Sequence, residues 1–156
     1  MFTSIHHLGT GLLLSLAASL PFTLPAQGAP NVAAQASATA TGLTMDGVGS
    51  AATHVVKVAD VTVSTDGANG LTLSITSGTL AKGDTRTPVA FQVVLVADGA
   101  SAPSTSAFTT PSGTTYTFAT SSAGSVDRQL YIKYTPAALQ DPGTYSAIVG
   151  LEVRDN

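Results

Sequence analysis

The sequence predicts an all-β protein, an antiparallel β-sandwich, with a closed barrel as the alternative closure. Three observations carry this. Short stretches of alternating apolar and polar residues recur at roughly ten- to twenty-residue spacing, punctuated by Gly, Pro, Asp and Asn. Beyond the first 28 residues no amphipathic helical pattern of useful length appears. Ala, Thr, Ser, Gly and Val dominate, only 10% of residues are charged, and 6% are aromatic with no Trp. A chain this apolar and this periodic is not a disordered one.

The first element is a targeting signal. Leu12-Leu-Leu-Ser-Leu-Ala-Ala-Ser-Leu20 is an apolar run too short to span a bilayer, followed by Pro21, Pro25 and small residues. It reads as the core of a cleavable secretory signal peptide over residues 1–28. Ala26-Gln-Gly28 and Ala34-Gln-Ala36 are the candidate cleavage motifs. The mature chain is expected to hold no transmembrane segment. Residues 29–50 are small and polar, with Ala34, Ala36, Ala38 and Ala40 in one phase, and only Val32, Leu43 and Met45 are bulky. This reads as a flexible or extended N-terminal arm, a weak strand at most. The β-sandwich domain is expected over 51–156.

The strands follow in order. His54 to Ser64 is β-branched, and its alternation slips between Val58 and Val61, which predicts a bulge near Ala59-Asp60. Thr65 to Gly70 is a turn, after which Leu71, Leu73 and Ile75 line one face. Val89 to Val96 is the most apolar run and is expected to be central. Asp98 to Thr110 reads as a loop, Thr115 to Ala119 as a strand, and Arg128 to Tyr134 as a strand with Leu130, Ile132 and Tyr134 inward. Tyr131 falls on the opposite face; packing within the sheet is the favoured reading, and an exposed ring that could stack on a sugar is the alternative. Thr135 to Gln140 predicts one short helical turn. The closing strand alternates cleanly, with Tyr145, Ala147, Val149, Leu151 and Val153 on one side.

Little in the chain suggests chemistry. Net charge is −3 and the six Lys and Arg are scattered from Lys57 to Arg154, so there is no nucleic-acid footprint. There is no Cys, which removes thiol catalysis, thiolate metal sites and disulfides. The one histidine beyond the signal, His54, has no acid partner nearby in sequence and reads as a strand-edge residue. Of the nine acidic residues, Glu152 is the only glutamate; Asp46, Asp66, Asp84, Asp98, Asp127 and Asp141 lie in turns beside Gly or Pro or at strand ends, where Asp accepts backbone hydrogen bonds. Asp66-Gly-Ala-Asn-Gly70 is a candidate Ca²⁺ loop that lacks the remaining carboxylates of a helix-loop-helix site. No Gly-x-Ser-x-Gly elbow occurs. No catalytic, cofactor-binding or metal residues are assigned.

Asp141-Pro-Gly-Thr-Tyr145 has the D-x-G-x-Y shape of the immunoglobulin tyrosine corner, which marks the start of strand F. The expected fold is therefore an antiparallel immunoglobulin-like β-sandwich with Greek-key connections. In such a fold a further strand, G, should follow, and the sequence ends three residues after Val153.

The Pro-x-Gly-Thr-Tyr ending with its alternating strand, Gly70-Leu-Thr-Leu-Ser-Ile75, and Arg128-Gln-Leu-Tyr-Ile-Lys-Tyr134 resemble the spore coat protein U and secreted pilin-like families. The resemblance covers roughly Ala36 to Val153. It implies a secreted subunit that assembles on the cell surface with the help of a chaperone and an usher. It also implies a sandwich lacking strand G whose gap is filled by a neighbour's arm. Pilins commonly carry a disulfide, and this chain has no Cys. The functional expectation is a non-catalytic structural subunit of a fibre, pilus-like assembly, coat or matrix that self-associates or joins neighbouring subunits. The alternative is an adhesin or carbohydrate-binding module using Tyr131 or the Asp66 loop.

Overall fold

A computed structural model describes residues 28–41, 43, 45, 51–82, 88–141 and 143–156. The signal-peptide reading, Asp46, Asp84 and Pro142 lie outside the described residues. Eight strands follow one another: β1 (Asn31–Ala36), β2 (His54–Thr65), β3 (Leu71–Thr76), β4 (Thr79–Leu80), β5 (Val89–Ala97), β6 (Thr115–Ala119), β7 (Gly124–Tyr134) and β8 (Gly150–Asp155). The described residues contain no α-helix, and none that is long and apolar enough to cross a membrane.

The strands form two antiparallel sheets, β1-β2-β7-β5-β4 and β6-β3-β8. Alternation decides what lies between them. Val61 and Val63 of β2, Leu71, Leu73 and Ile75 of β3, and Leu130, Ile132 and Tyr134 of β7 are all buried in one shared core. Fully burying an aliphatic side chain of this kind is worth about 1.5–3 kcal/mol, so this period-2 stripe supplies most of the cohesion between the sheets.

The bulge falls one residue earlier than the sequence reading placed it. The β2–β7 register shifts between Lys57 and Ala59, so that Val58 and Ala59 are both buried. Asp60 turns outward and pairs with Lys57 at 2.6 Å, and its carboxylate holds the Lys57 ammonium above its ordinary pKa.

Residues 31–36, read from sequence as arm, form a strand that pairs with β2 from Asn31↔Ser64 to Ala36↔Ala59. Only Val32 turns inward against the core; the other five side chains are exposed.

β5 is not central. β7 lies on one side of it and only the two-residue β4 on the other. Its apolar second face is explained by local cover instead. Phe108, from the loop that follows β5, packs on Val94 and Tyr131 in a second small cluster. Gln92 Nε2 holds that loop by donating to the carbonyls of Phe108 (3.2 Å) and Thr110 (2.7 Å), and Lys133 Nζ donates to the Thr105 carbonyl (3.1 Å). Tyr131 is consequently only 8% accessible, in keeping with the sheet packing favoured from sequence over an exposed ring.

Residues 135–140 make a turn at Ala138-Leu139 that does not extend into a helix. Pro136 is fully buried, and Ala137 N donates to Gln140 Oε1 at 3.0 Å.

Candidate functional site

Two sheet edges meet on one side of the molecule. β1 is the edge of the larger sheet and β8 an edge of the smaller one. At one end of this seam the sheets are joined by Thr65 Oγ1 of β2, which donates to Asp155 Oδ1 of β8 at 2.5 Å. Nearby, Gly28 N donates to Asp66 Oδ2 at 2.6 Å, and Asn156 N to the Gly70 carbonyl at 3.1 Å. Asp66, the first residue of the candidate Ca²⁺ loop, thus spends a carboxylate oxygen on the chain leading into β1. No three His, Asp or Glu side chains converge among the described residues.

At the other end the seam opens. The segment 143–149 keeps the predicted alternation, with Tyr145, Ala147 and Val149 half-buried and Ser146 and Ile148 turned out. Yet the hydrogen-bonded strand begins only at Gly150, because the partner strand β3 ends at Thr76 opposite it. Upstream, among the described residues, this segment makes one isolated bridge, Ala81↔Ser146. Ile148 is 71% exposed.

Between this segment and the arm lies a cleft of ≈ 660 Å³. Its floor is the core itself: Val58, Leu80, Phe91 and Ile132. One wall is Tyr145, Ala147 and Val149; the other is Ala36, Ala40, Leu43 and Met45 of the arm. Among the described residues its lining is apolar or uncharged apart from the Tyr145 phenol.

Tyr145 sits at the entrance of this segment as the D-x-G-x-Y motif predicts. Its hydroxyl donates to the Asp141 carbonyl four residues upstream (2.8 Å) and accepts from Gln140 Nε2 (2.8 Å). Gln140 is itself 4% exposed. This is the hydrogen-bond geometry of a tyrosine corner. Lys82 closes the adjacent rim, with Nζ 3.6 Å from Asp141 Oδ2 and its methylenes against Gly143.

The remaining candidates are dispersed. His54 stacks on the Tyr134 ring at 5.2 Å between centroids. Each described acidic side chain has a structural partner: Asp60 with Lys57, Asp98 with Gln129, Asp127 with Thr62, Asp141 with Lys82, Glu152 with Arg154, besides Asp66 and Asp155 above. The arm's role in lining the cleft was the part least visible in sequence. Its only signal was that Val32, Leu43 and Met45 are the bulky residues of an otherwise small-residue stretch, and all three pack against the core.

The chain matches no protein-family model, and no curated protein matches it.

Proposed function

We propose that this protein is a secreted, non-catalytic structural subunit of a cell-surface fibre, coat or matrix, joined to its neighbours by β-strand addition. We read the strand order as immunoglobulin-like: β1, β2, β7 and β5 take the places of A, B, E and D, and β3 and β8 those of C and F. In that scheme the place of strand G is the open edge of β8 and of the segment that precedes it. The observation that carries the proposal is the cleft: core side chains form its floor, and its wall is an alternating chain segment with, among the described residues, one backbone bridge. An added strand would pair along 147–149 and place alternate apolar side chains over Phe91 and Ile132. Secretion rests on the apolar run Leu12 to Leu20. A chaperone and usher are what the resemblance to pilin-like families implies.

A binding-module reading loses its two candidate features, since Tyr131 is covered by Phe108 and Asp66 is engaged by Gly28.

The test is size exclusion with light scattering, and electron microscopy, over a range of concentrations and days of incubation. Oligomers or fibres are expected, and Val149→Asp, which puts a charge on the cleft wall, is expected to abolish them while leaving a cooperatively folded monomer. Assembly unaffected by Val149→Asp, or monomers under all conditions, would overturn the proposal.

A further inference from the structure

We propose that β6 is a self-association edge, through which two copies of this chain pair antiparallel about a two-fold axis at Thr117. The inference does not rest on strand addition at the cleft, because β6 is the opposite edge of the smaller sheet from β8. Sheet edges are ordinarily blunted by charge, Pro, a bulge or extreme shortness. β8 carries Glu152 and Arg154, β4 is two residues long, and β1 lies beside β8 at the seam. β6 has none of these devices. Its ladder with β3 runs from Thr115↔Thr76 to Ala119↔Thr72 without a register shift. No charged residue and no Pro occurs from Ser112 to Val126.

The phase of the backbone decides which groups face outward. Thr120 N donates to the Leu71 carbonyl at 2.8 Å, and on the other side of β3 Asn156 N donates to the Gly70 carbonyl at 3.1 Å. Bonding residues alternate in an antiparallel ladder. Leu73 and Ile75 therefore bond Phe118 and Tyr116, while the N–H and C=O groups of Thr115, Thr117 and Ala119 point away from β3. Among the described residues these outward groups have no partner. A second copy centred on Thr117 meets all of them. Thr117 then faces its own counterpart and Thr115 faces Ala119 across the axis, which makes about six backbone hydrogen bonds. Of the possible axes, this one uses the whole strand. The side chains agree with it. Tyr116 and Phe118 point to the core side and are half-buried. Across the axis Tyr116 lies opposite Phe118 at the closer-spaced positions, so an aromatic cross-strand pair forms on each side of Thr117. Thr115, Thr117 and Ala119 are exposed on the other face and carry no charge to repel their counterparts.

Five residues from each copy make a contact at the low end of specific interfaces, so the dimer is expected to be reversible. Where subunits are held in a fibre, the same contact repeats along its length and would join fibres side by side.

The chain has no Cys, so single cysteines report the register directly. Opposed bonded residues have Cα atoms about 5.5 Å apart, within the span of a disulfide. Thr117→Cys is therefore expected to give a disulfide-linked dimer under mild oxidation. Thr115→Cys sets its two thiols about 14 Å apart along the paired strands, and Ser101→Cys is an exposed control on the loop before β6. Thr117→Cys should link at least about tenfold faster than either. Equal rates at the three positions, or faster linkage at 115, overturn the pairing. Sedimentation over a concentration series is the second measurement, made on Val149→Asp so that the cleft wall is charged. A reversible monomer–dimer equilibrium is expected. Adding Thr117→Pro removes an outward N–H that β3 does not use, and should leave a cooperatively folded monomer. If that variant fails to fold, Thr117→Lys sets like charges across the axis and must abolish the dimer. A dimer that survives Thr117→Lys, or monomers at every concentration without preferential linkage at 117, overturns the proposal. Linkage at 117 with no fibre in any variant supports β6 pairing and removes strand addition. Fibres without linkage at 117 do the reverse.

Discussion

Replacing Tyr145 by Phe removes one oxygen from the turn that leads into the cleft wall. The ring stays, so packing against Gln140 and the core is conserved. What goes is a donor to the Asp141 carbonyl and an acceptor for Gln140 Nε2, both at 2.8 Å. A net intramolecular hydrogen bond contributes about 0.5–1.5 kcal/mol, and taking an acceptor from a buried donor costs about 1–3 kcal/mol. Gln140 is 4% exposed, so water cannot readily replace the lost acceptor. The expected destabilisation is about 2 kcal/mol, measured by urea unfolding with an unchanged denaturant slope. In a chain of this size that corresponds to a fall in Tm of roughly 5–10 °C. Combining Tyr145→Phe with Gln140→Ala should cost about 1 kcal/mol less than the sum of the two, because they share one bond. A loss below about 0.5 kcal/mol, or strict additivity, would refute the claim that this hydroxyl fixes the corner.

Two further predictions concern the frame around the site. Gly70 has φ +77° and a Cβ there would sit 2.3 Å from the Thr120 carbonyl oxygen, so Gly70→Ala should cost on the order of 3–4 kcal/mol. Gly99 has φ +70° with open space around it, and Gly99→Ala should cost only about 1 kcal/mol; equal losses in thermal unfolding would contradict the steric account. Phe108→Ala should cost about 3–5 kcal/mol and open Tyr131 to nitration, which is expected to be slow in the parent because the ring is covered. Stable protein with Tyr131 still protected would show that something other than Phe108 covers it.

Several elements were legible because their signal is local. Leu71, Leu73 and Ile75, and Leu130, Ile132 and Tyr134, announce their buried faces by alternation alone, since a strand turns its side chains by half a revolution per residue. The slip in β2 was readable to within a residue for the same reason: a bulge is a phase error in that alternation. The tyrosine corner was readable because it closes over four residues. The cover over Tyr131 and β5 was not legible because it comes from the 98–114 loop, whose Phe108 reaches back over strands adjacent in space but distant in sequence.

The amino-acid sequence by itself determined the all-β character, the faces of the long strands, the corner at Tyr145 and the absence of thiol chemistry. Only the tertiary structure decided that β1 pairs with β2 in its own chain, that β3 stops short of 143–149, and that Ala36, Ala40, Leu43 and Met45 line the same cleft as Tyr145, Ala147 and Val149. The reason is physical. A strand's buried face is encoded in its own residues. Whether its edge is filled depends on where other segments end, and no local pattern records that.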